Sequence, residues 1–350
     1  NLPLPDLSEL TALIKKIAVN TDSDLSEQDL NELAIASSGL SETKVKQVTA
    51  KALTQRGKIS KDDIKDILEE KKQVIARSEI LEFFESKSAQ NDIGGLKVLK
   101  TWLKQRYRAF SKEAKEYGLP IPKGVLLVGP QGTGKSLTAK SISQSWSMPL
   151  LRLDVGRLFS SLVGSSEART RETISRAEAM SPCILWIDEI DKGFGGDARS
   201  DGGTSQRVLA SLLTWMAEKE SAVFVIATAN AIDKLPAELL RKGRFDEIFF
   251  LDLPNSEERL SILDLHLKKR RPGYNFPLST IIDRTGGYSG AELEQAVIEG
   301  MHFSFSENRE LMEKDLIKAV SELVPLSRTA KEQIDFLKEW SSTGRARSAS

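Results

Sequence analysis

The chain has 350 residues, enough for about two or three domains, and its 40% hydrophobic and 29% charged residues are typical of a globular protein. Its 50 basic and 50 acidic residues balance, so composition gives no overall attraction to nucleic acid or an anionic membrane. The single cysteine, Cys183, excludes an internal disulfide and indicates a reducing compartment, and no apolar run approaches the ~18 residues of a membrane span. The chain begins at Asn1 without a signal-like segment. We expect it to be a trimmed piece, so a missing targeting signal carries no weight.

Residues 1–90 are predicted to be entirely helical. Apolar periodicity indicates these helices: Leu7–Val19, Asp29–Ser37, Glu42–Arg56 and Lys61–Phe84. The last helix is heavily charged and open to a break. None carries catalytic chemistry by itself, and Ser86–Gln90 follows as a small polar linker.

A later part of the chain resembles this helical segment. Three pairs of stretches match in the same order: Leu4–Leu10 with Leu253–Leu260, Leu33–Leu53 with Ile281–Met301, and Ile59–Ile64 with Leu311–Leu316. These matches favour an internal duplication, the alternative being two unrelated helical bundles that share a Gly-Ser turn. Our hypothesis is that residues 1–90 are the lid of an upstream module whose core is absent here.

A phosphate-binding loop is predicted at residues 129–136, where Gly-Pro-Gln-Gly-Thr-Gly-Lys-Ser fits the pattern G-x-x-x-x-G-K-[ST] at every fixed position. A buried strand, Gly124–Val128, precedes the loop and a helix follows it. The glycines let the backbone wrap round a triphosphate. Lys135 supplies positive charge to the β- and γ-phosphates, and Ser136 offers a hydroxyl to Mg²⁺. A chance Gly-rich turn is disfavoured because strand, loop and helix agree.

Two further strands are predicted to end in polar side chains. The apolar run Cys183–Ile187 leads into Asp188 and Glu189, at the strand end where parallel sheets bind ligands. We interpret Asp188 as the Mg²⁺-linked carboxylate and Glu189 as the base that orients the attacking water. The strand Ala222–Ala227 precedes Asn230, whose amide can hydrogen-bond the γ-phosphate or that water. The alternatives are a plain acidic loop and an Asn that caps a turn.

Other predictions concern the rest of the chain. Phe194–Thr204 is expected to be a mobile loop. Arg241 and Arg244 point the same way on a helical turn, and the local sequence leaves open whether they reach their own nucleotide or a neighbour's. Lys268–Arg271 is basic and complements a helix dipole more readily than nucleic acid. No metal is assigned to His266 or His302.

Together these motifs resemble a classical AAA ATPase module over residues 91–325. The resemblance implies an α/β P-loop NTPase fold (AAA+) with a parallel-sheet core at 91–254 and a helical lid at 255–341. The tail at 342–350 is predicted from its own residues to be disordered. It implies ATP and Mg²⁺ as cofactors, with these residues around the nucleotide: Asp92, Ile93, Gly94, Gly129, Pro130, Gln131, Gly132, Thr133, Gly134, Lys135, Ser136, Leu137, Gly290 and Ala291.

The same resemblance implies roles for the remaining motifs. Residues 129–136 become Walker A, Ile184–Glu189 the Walker B strand, and Asn230 sensor 1. Arg241 and Arg244 become arginine fingers that act on the adjacent subunit's ATP. The predicted catalytic residues are therefore Glu189, Asn230, Arg241 and Arg244, and the predicted metal ligands are Ser136 and Asp188. Because each site needs its neighbour's fingers, the family forms rings, here expected to be homo-hexamers.

Stretches such as NDIGGLKVLKTWLKQR and CILWIDEIDK are similar to a cyanobacterial and plastid AAA ATPase family known as hypothetical chloroplast open reading frame forty-six. That resemblance implies the cyanobacterial cytoplasm or the plastid stroma and a link to photosynthetic regulation. It also implies a degenerate AAA-like region upstream, which agrees with the internal repeat.

The chain departs from the family at the loop that grips polypeptide in many unfoldases. Leu162-Val163-Gly164, with Phe159 slightly earlier, stands where an aromatic-hydrophobic-Gly motif is usual. Leu162 and Val163 are the candidate contacts with a protein substrate, but the substitution weakens the case for forceful threading. No zinc-protease motif is present, which excludes a membrane metalloprotease.

The predicted function is Mg²⁺-dependent ATP hydrolysis by an oligomeric ring that remodels a protein partner. One alternative is a nucleotide-state switch that gates a regulatory interaction without threading. Another is a nucleic-acid-stimulated ATPase, which the neutral charge balance disfavours. A P-loop kinase is disfavoured because no acceptor-substrate pocket is recognisable.

Overall fold

A computed structural model describes residue 5 and residues 7–76, 80–84, 94–159, 165–194 and 204–350 of the chain. These residues form an N-terminal helical unit, an α/β core, a helical lid and a C-terminal segment that returns to the core. The predicted loop Phe194–Thr204 falls mostly outside the described residues.

The N-terminal unit has α-helices followed by a strand: α1 Leu7–Asn20, α2 Glu27–Ser37, α3 Glu42–Arg56, α4 Ile64–Ala76 and β1 Leu81–Phe84. The apolar faces of its helices bury a shared cluster that includes Leu10, Ile14 and Leu33. The prediction of a fourth, possibly broken helix over Lys61–Phe84 is wrong at its end, because α4 ends at Ala76 and Leu81–Phe84 forms β1, which pairs with the core sheet. A short apolar run is compatible with a strand as well as with a helix. Here the run forms a strand because it can pair with the open edge of the core sheet.

The α/β core begins at residue 94, after residues 85–93, which lie outside the described part of the chain. Its elements in chain order are α5 Lys97–Tyr107, α6 Lys112–Glu116, β2 Gly124–Val128, α7 Lys135–Trp146, β3 Leu150–Leu153, α8 Val155–Phe159, α9 Ser165–Ala179, β4 Cys183–Ile187, α10 Thr204–Glu218, β5 Val223–Ala229 and β6 Glu247–Phe250. The lid follows as α11 Ser256–Arg270, α12 Ser279–Arg284, α13 Gly290–Ser306 and α14 Glu313–Glu322. The C-terminal segment contains α15 Leu326–Thr329, α16 Lys331–Trp340 and β7 Arg347–Ser348.

The core sheet has the strand order β1-β3-β4-β5-β2-β6-β7, and the described pairings are parallel except that of β1 with β3. β2, β4 and β5 are fully buried, as expected for parallel strands covered by helices on both faces. The parallel register brings the carboxyl ends of these strands to one edge of the sheet. The predicted fold class, a parallel-sheet α/β core with a helical lid and a helical N-terminal segment, is confirmed.

The C-terminal segment differs from the prediction of a lid to residue 341 and a disordered tail at 342–350. Leu337 and Trp340 of α16 pack into the apolar core beneath the sheet rather than into the lid. β7 pairs with β6, and the Ala349 amide donates to the carbonyl of Phe250. The exposed backbone groups of β6 therefore order a tail whose small polar side chains would not do so alone. Among the described ranges, no helix combines the length and the apolarity needed to cross a membrane.

The N-terminal unit and the lid share local geometry as well as the order of their helices. Gly39 has φ +84° and Gly287 has φ +81°, each in the turn before the third helix of its unit. Ser41 caps α3 and Ser289 caps α13, each accepting from an amide three residues further on. Only glycine adopts such positive φ values without strain, so both turns need it.

A second shared feature follows the third helix of each unit. Asp63 and Asp315 are both buried, and each carboxylate accepts a hydrogen bond from the backbone amide three residues earlier. Arg56 pairs with Asp63, and Arg309 forms a bidentate pair with Asp315 at 2.6 Å. Matching turns, caps and ion pairs favour a duplicated unit over two bundles that share only a turn.

Lys71 on α4 is 1% exposed and lies within electrostatic range of Cys183 on β4. Burial lowers the pKa of the Lys71 amine to about 8. Burial also raises the pKa of the Cys183 thiol to about 12, so Cys183 stays neutral. A buried charge without a thiolate partner works against packing of the N-terminal unit on the core.

We expect Lys71→Met to stabilise the folded chain by roughly 3 kcal/mol near pH 7. The folded pKa of Lys71 lies below its ordinary value of 10.5, so the unfolded chain binds more protons between pH 8 and 10.5. Stability of the parent chain should therefore rise with pH across that window, and Lys71→Met should flatten the rise. Denaturant unfolding at several pH values measures both effects, with Lys65→Met, exposed on the same helix, as the control. Unchanged stability and an unchanged slope would contradict the buried charge.

Candidate nucleotide-binding site

The loop between β2 and α7 lies under the first turn of lid helix α13. Gly132 and Gly134 have φ +75° and +87°, values that favour glycine. A Cβ on Gly132 would come within 2.8 Å of the Ser289 hydroxyl, and the Ala291 amide donates to the Gly132 carbonyl at 3.2 Å. Gly132 therefore permits the close approach of the lid to the loop.

Lys135, the first residue of α7, is buried beside this loop. Its Nζ donates to the carbonyls of Gly129 and Pro130, at 2.7 and 2.6 Å. Burial lowers the pKa of Lys135 to about 8, although nearby carboxylates, above all that of Asp191, act in the opposite direction. An anionic phosphate at the loop would stabilise the charged amine.

Ser136, Asp188 and Thr228 form a cluster of oxygen donors below the loop. Ser136 Oγ donates to Asp188 Oδ1 at 3.0 Å, and Thr228 Oγ1 donates to the same atom at 2.8 Å. A carboxylate beside a hydroxyl is the hard-oxygen set that suits Mg²⁺ bound to a nucleotide. The residues present therefore fit the predicted metal, with Ser136 and Asp188 as the groups that would hold it.

Glu189 follows Asp188 in a constrained conformation. Its φ is +49°, and its amide donates to Thr228 Oγ1 at 2.8 Å. Asn230 Nδ2 donates to Glu189 Oε1 at 3.0 Å, while Lys192 Nζ lies 2.5 Å from Oε2. Both carboxylate oxygens thus have a donor, and Asn230 holds Glu189 in place from the neighbouring strand end.

Asp191 was not singled out by sequence reasoning. It is 5% exposed, and its carboxylate accepts from the amides of Asn230 and Ala231, at 3.3 and 3.1 Å. These bonds fix the chain as it leaves β5 and thereby orient Asn230. The sequence shows Asp191 as a third carboxylate in the run Asp188-Glu189-Ile190-Asp191. It gives no local sign that this carboxylate binds the backbone after β5.

A cavity of about 630 Å³ lies between the loop, the strand ends and the lid. The structure places these predicted residues around it: Gly94, Gln131, Gly132, Thr133, Gly134, Lys135, Ser136, Leu137, Asp188, Glu189, Asn230, Gly290 and Ala291. Gly129 and Pro130, at the start of the loop, do not line the cavity, and their carbonyls accept from Lys135. Asp92 and Ile93 lie outside the described residues.

The cavity is also lined by residues that the motifs did not indicate. Among them are the apolar side chains of Leu96, Ile262 and Leu265, and the ring of His266. The His266 ring contacts Arg270 at 3.1 Å, and desolvation lowers the pKa of His266. These apolar side chains suit a planar base, and Lys135 at the loop suits a triphosphate. A lone His in an amphipathic helix carries no signal of this position.

Similar proteins match the chain over its whole length. The AAA domain-containing protein ycf46 of Pyropia yezoensis is 49% identical over 353 residues, covering 100% of this chain and 72% of that protein. The ycf46 protein of Guillardia theta is also 49% identical over 353 residues, covering 100% of this chain and 70% of its own. This chain belongs to the ycf46 family of AAA domain-containing proteins.

Parts of the chain match other AAA proteins. Residues 125–253 match the model of the ATPase family associated with various cellular activities, and residues 8–78 match that of the second domain of SpoVK-like AAA ATPases. The ATP-dependent zinc metalloprotease FtsH of Cyanidium caldarium is 39% identical over 216 residues, which is 59% of this chain and 35% of that protein. In the described part of this AAA chain, no group of three or more His, Cys, Asp or Glu side chains could hold a metal ion.

The two arginines predicted as AAA fingers lie apart from the cavity. Neither Arg241 nor Arg244 lines it. Arg241 is exposed, whereas Arg244 is partly buried and its Nε lacks a hydrogen-bond partner among the described residues. Neither guanidinium group therefore contributes to the lining of the chain's own cavity.

Two other sequence features have different outcomes. Three of the four cations of the basic run at the end of α11 are paired with carboxylates: Lys268 with Asp264, Arg270 with Glu294 and Arg271 with Glu310. That pairing leaves little free charge for nucleic acid. The candidate substrate contacts Leu162 and Val163 lie outside the described residues.

Proposed function

We propose that this AAA chain hydrolyses ATP to ADP and phosphate in a Mg²⁺-dependent reaction and works as a homo-oligomeric ring, expected to be a hexamer. One observation carries the proposal. The candidate phosphate, metal and base residues surround one cavity, whereas Arg241 and Arg244 lie outside it. No arginine among the described residues lines the cavity, and a site that lacks one is completed most simply by a second copy.

Each side chain has a role that its position supports. Lys135 contacts the β- and γ-phosphates, and Ser136 and Asp188 hold the metal, which would neutralise phosphate charge when bound. Glu189 accepts a proton from the attacking water and orients it. Asn230 follows the end of β5, and its side-chain amide donates to Glu189. From this position the amide can sense the presence of a γ-phosphate.

The ring is proposed to remodel a protein partner, with Leu162 and Val163 as candidate contacts. The ycf46 relatives favour the plastid stroma or the cyanobacterial cytoplasm. A role in photosynthetic regulation is proposed from the sequence resemblance alone. The paired basic run and the balanced charge of the chain disfavour nucleic acid as the partner.

A nucleotide-state switch is the second candidate, and one observation favours it. Both oxygens of Glu189 already have donors, from Asn230 and Lys192, so an attacking water must displace or share one of them. Slow hydrolysis of that kind would suit a switch that hydrolysis merely resets.

The N-terminal unit is proposed to be the lid of a degenerate upstream AAA-like module. The paired turns at Gly39 and Gly287 and the paired ion pairs of Asp63 and Asp315 support this. The match of residues 8–78 to a SpoVK-like second domain supports it as well. A structure of a longer ycf46 relative with no P-loop-like core before this unit would contradict it.

Phosphate release by the purified chain tests the function. We expect turnover with Mg²⁺ and ATP, loss of turnover in EDTA, and no stimulation by DNA or RNA at any salt concentration. Tight binding of ATP with negligible turnover, together with a partner whose affinity follows nucleotide state, would support the switch instead. Absence of nucleotide binding would contradict both.

A further inference from the structure

Strand β1 brings the end of the N-terminal unit to the edge of the core sheet, two strands from Asp188 of the oxygen-donor cluster. It runs antiparallel to β3, with Glu82 directly opposite Arg152 and Phe84 opposite Leu150. Glu82 and Phe84 lie on the same face, because successive side chains alternate along a strand. Phe84 packs edge-on against Trp186 of β4, with ring centroids 5.9 Å apart. One face of β1 therefore packs against β3 and β4 close to Asp188.

Arg152 connects this face to the candidate metal ligand. Its guanidinium lies 3.4 Å from Glu82 Oε2 through one terminal nitrogen and 3.7 Å from Asp188 Oδ2 through the other. The same group lies over the Trp186 ring at 5.3 Å, and its Nε is buried without a hydrogen-bond partner among the described residues. Packing on Trp186 thus holds the guanidinium between two carboxylates from different strands.

The two oxygens of Asp188 face different groups. Oδ1 accepts from Ser136 and Thr228, on the side of the phosphate loop, whereas Oδ2 faces Arg152. Asp188 is largely buried, so a cation beside Oδ2 acts on it more strongly than a solvent-screened surface charge would. Arg152 therefore competes with any metal ion for the negative charge of Asp188.

We infer that Arg152 is a positioning residue for Asp188 and that Glu82 controls it by drawing the guanidinium toward β1. In this way the N-terminal unit sets the affinity of the nucleotide site for Mg²⁺. This inference rests on the proposed Mg²⁺-dependent use of ATP. It gives the unit a role inside this chain, whatever lies upstream.

Removal of Glu82 and removal of Arg152 should change the Mg²⁺ requirement in opposite directions. Without the Glu82 charge, Arg152 is attracted by Asp188 alone, so more Mg²⁺ is needed. Without Arg152, Asp188 is free of competition, so less is needed. Partly exposed ion pairs contribute modestly, so each change should be about two- to fivefold.

The test measures how Mg²⁺ raises the affinity of the full chain for a fluorescent ATP analogue, which does not depend on turnover. Glu82→Gln should raise the half-saturating Mg²⁺ concentration, and Arg152→Gln should lower it. The double variant should match Arg152→Gln, because Glu82 acts only through Arg152. Glu172→Gln, at an exposed ion pair with Arg176 elsewhere on the core, should leave the value unchanged.

The outcomes separate this inference from the proposed function. If the parent chain binds the analogue without any response to Mg²⁺, the proposed function fails. If the parent responds and Glu82→Gln, shown to be folded by its unfolding curve, titrates like the parent, the inference alone fails. A Glu82→Gln effect that persists in the Arg152→Gln background would contradict the route through Arg152.

Discussion

Glu189→Gln is expected to bind ATP as tightly as the parent chain and to hydrolyse it at least about 100-fold more slowly. The amide keeps the shape of the side chain and can still accept from Asn230 Nδ2. It cannot take a proton from the attacking water, and it loses the ion pair with Lys192. The effect should therefore fall on turnover and spare binding.

Two measurements on the same preparation decide this result. Equilibrium binding of ATP gives the affinity, and single-turnover phosphate release gives the chemical step. Glu172→Gln is the matched control, because it makes the same substitution at an exposed residue paired with Arg176. Turnover within a few-fold of the parent would refute the assigned role of Glu189.

Arg244→Ala is expected to lose about 1,000-fold or more in turnover, the range typical of an arginine finger. Arg244 does not line the cavity of its own chain, so the loss must arise at a neighbour's site. ATP binding by isolated subunits should change little. Lys242→Ala, an exposed cation two residues away, should retain turnover.

Mixtures of variant subunits show whether Arg244 acts on a neighbouring subunit. A ring that contains both Arg244→Ala and Glu189→Gln subunits has sites where an intact Glu189 meets an intact Arg244 from its neighbour. Turnover of the mixture should exceed the sum of the separate variants. A mixture of Arg244→Ala with subunits that carry both substitutions should show no such recovery. Absence of rescue in the first mixture would place Arg244 in its own subunit's site or in folding.

The sequence predicted the parallel-sheet core well because its signals are local. The Gly-rich loop, the apolar strand before Asp188 and the Asn after β5 each depend on a few adjacent residues. A parallel sheet then brings their strand ends together. The same locality explains the confirmed fold class.

Other features depend on contacts between distant segments. β1 was predicted as helix because Leu81–Phe84 is too short to show a period, and the open edge of β3 determines its state. The tail at 342–350 looks disordered by composition, yet the β6 edge orders it. Asp191 and His266 have recognisable chemistry but no local sign of what they contact.

ATP is proposed to be hydrolysed at sites shared between subunits. ATP turnover per subunit, measured across protein concentration with light scattering for mass in ATP and in ADP, tests it most directly. We expect turnover per subunit to rise steeply with concentration and a large assembly to form in ATP. Turnover that stays flat while the chain remains monomeric would contradict the shared site and leave Arg241 and Arg244 without a neighbour on which to act.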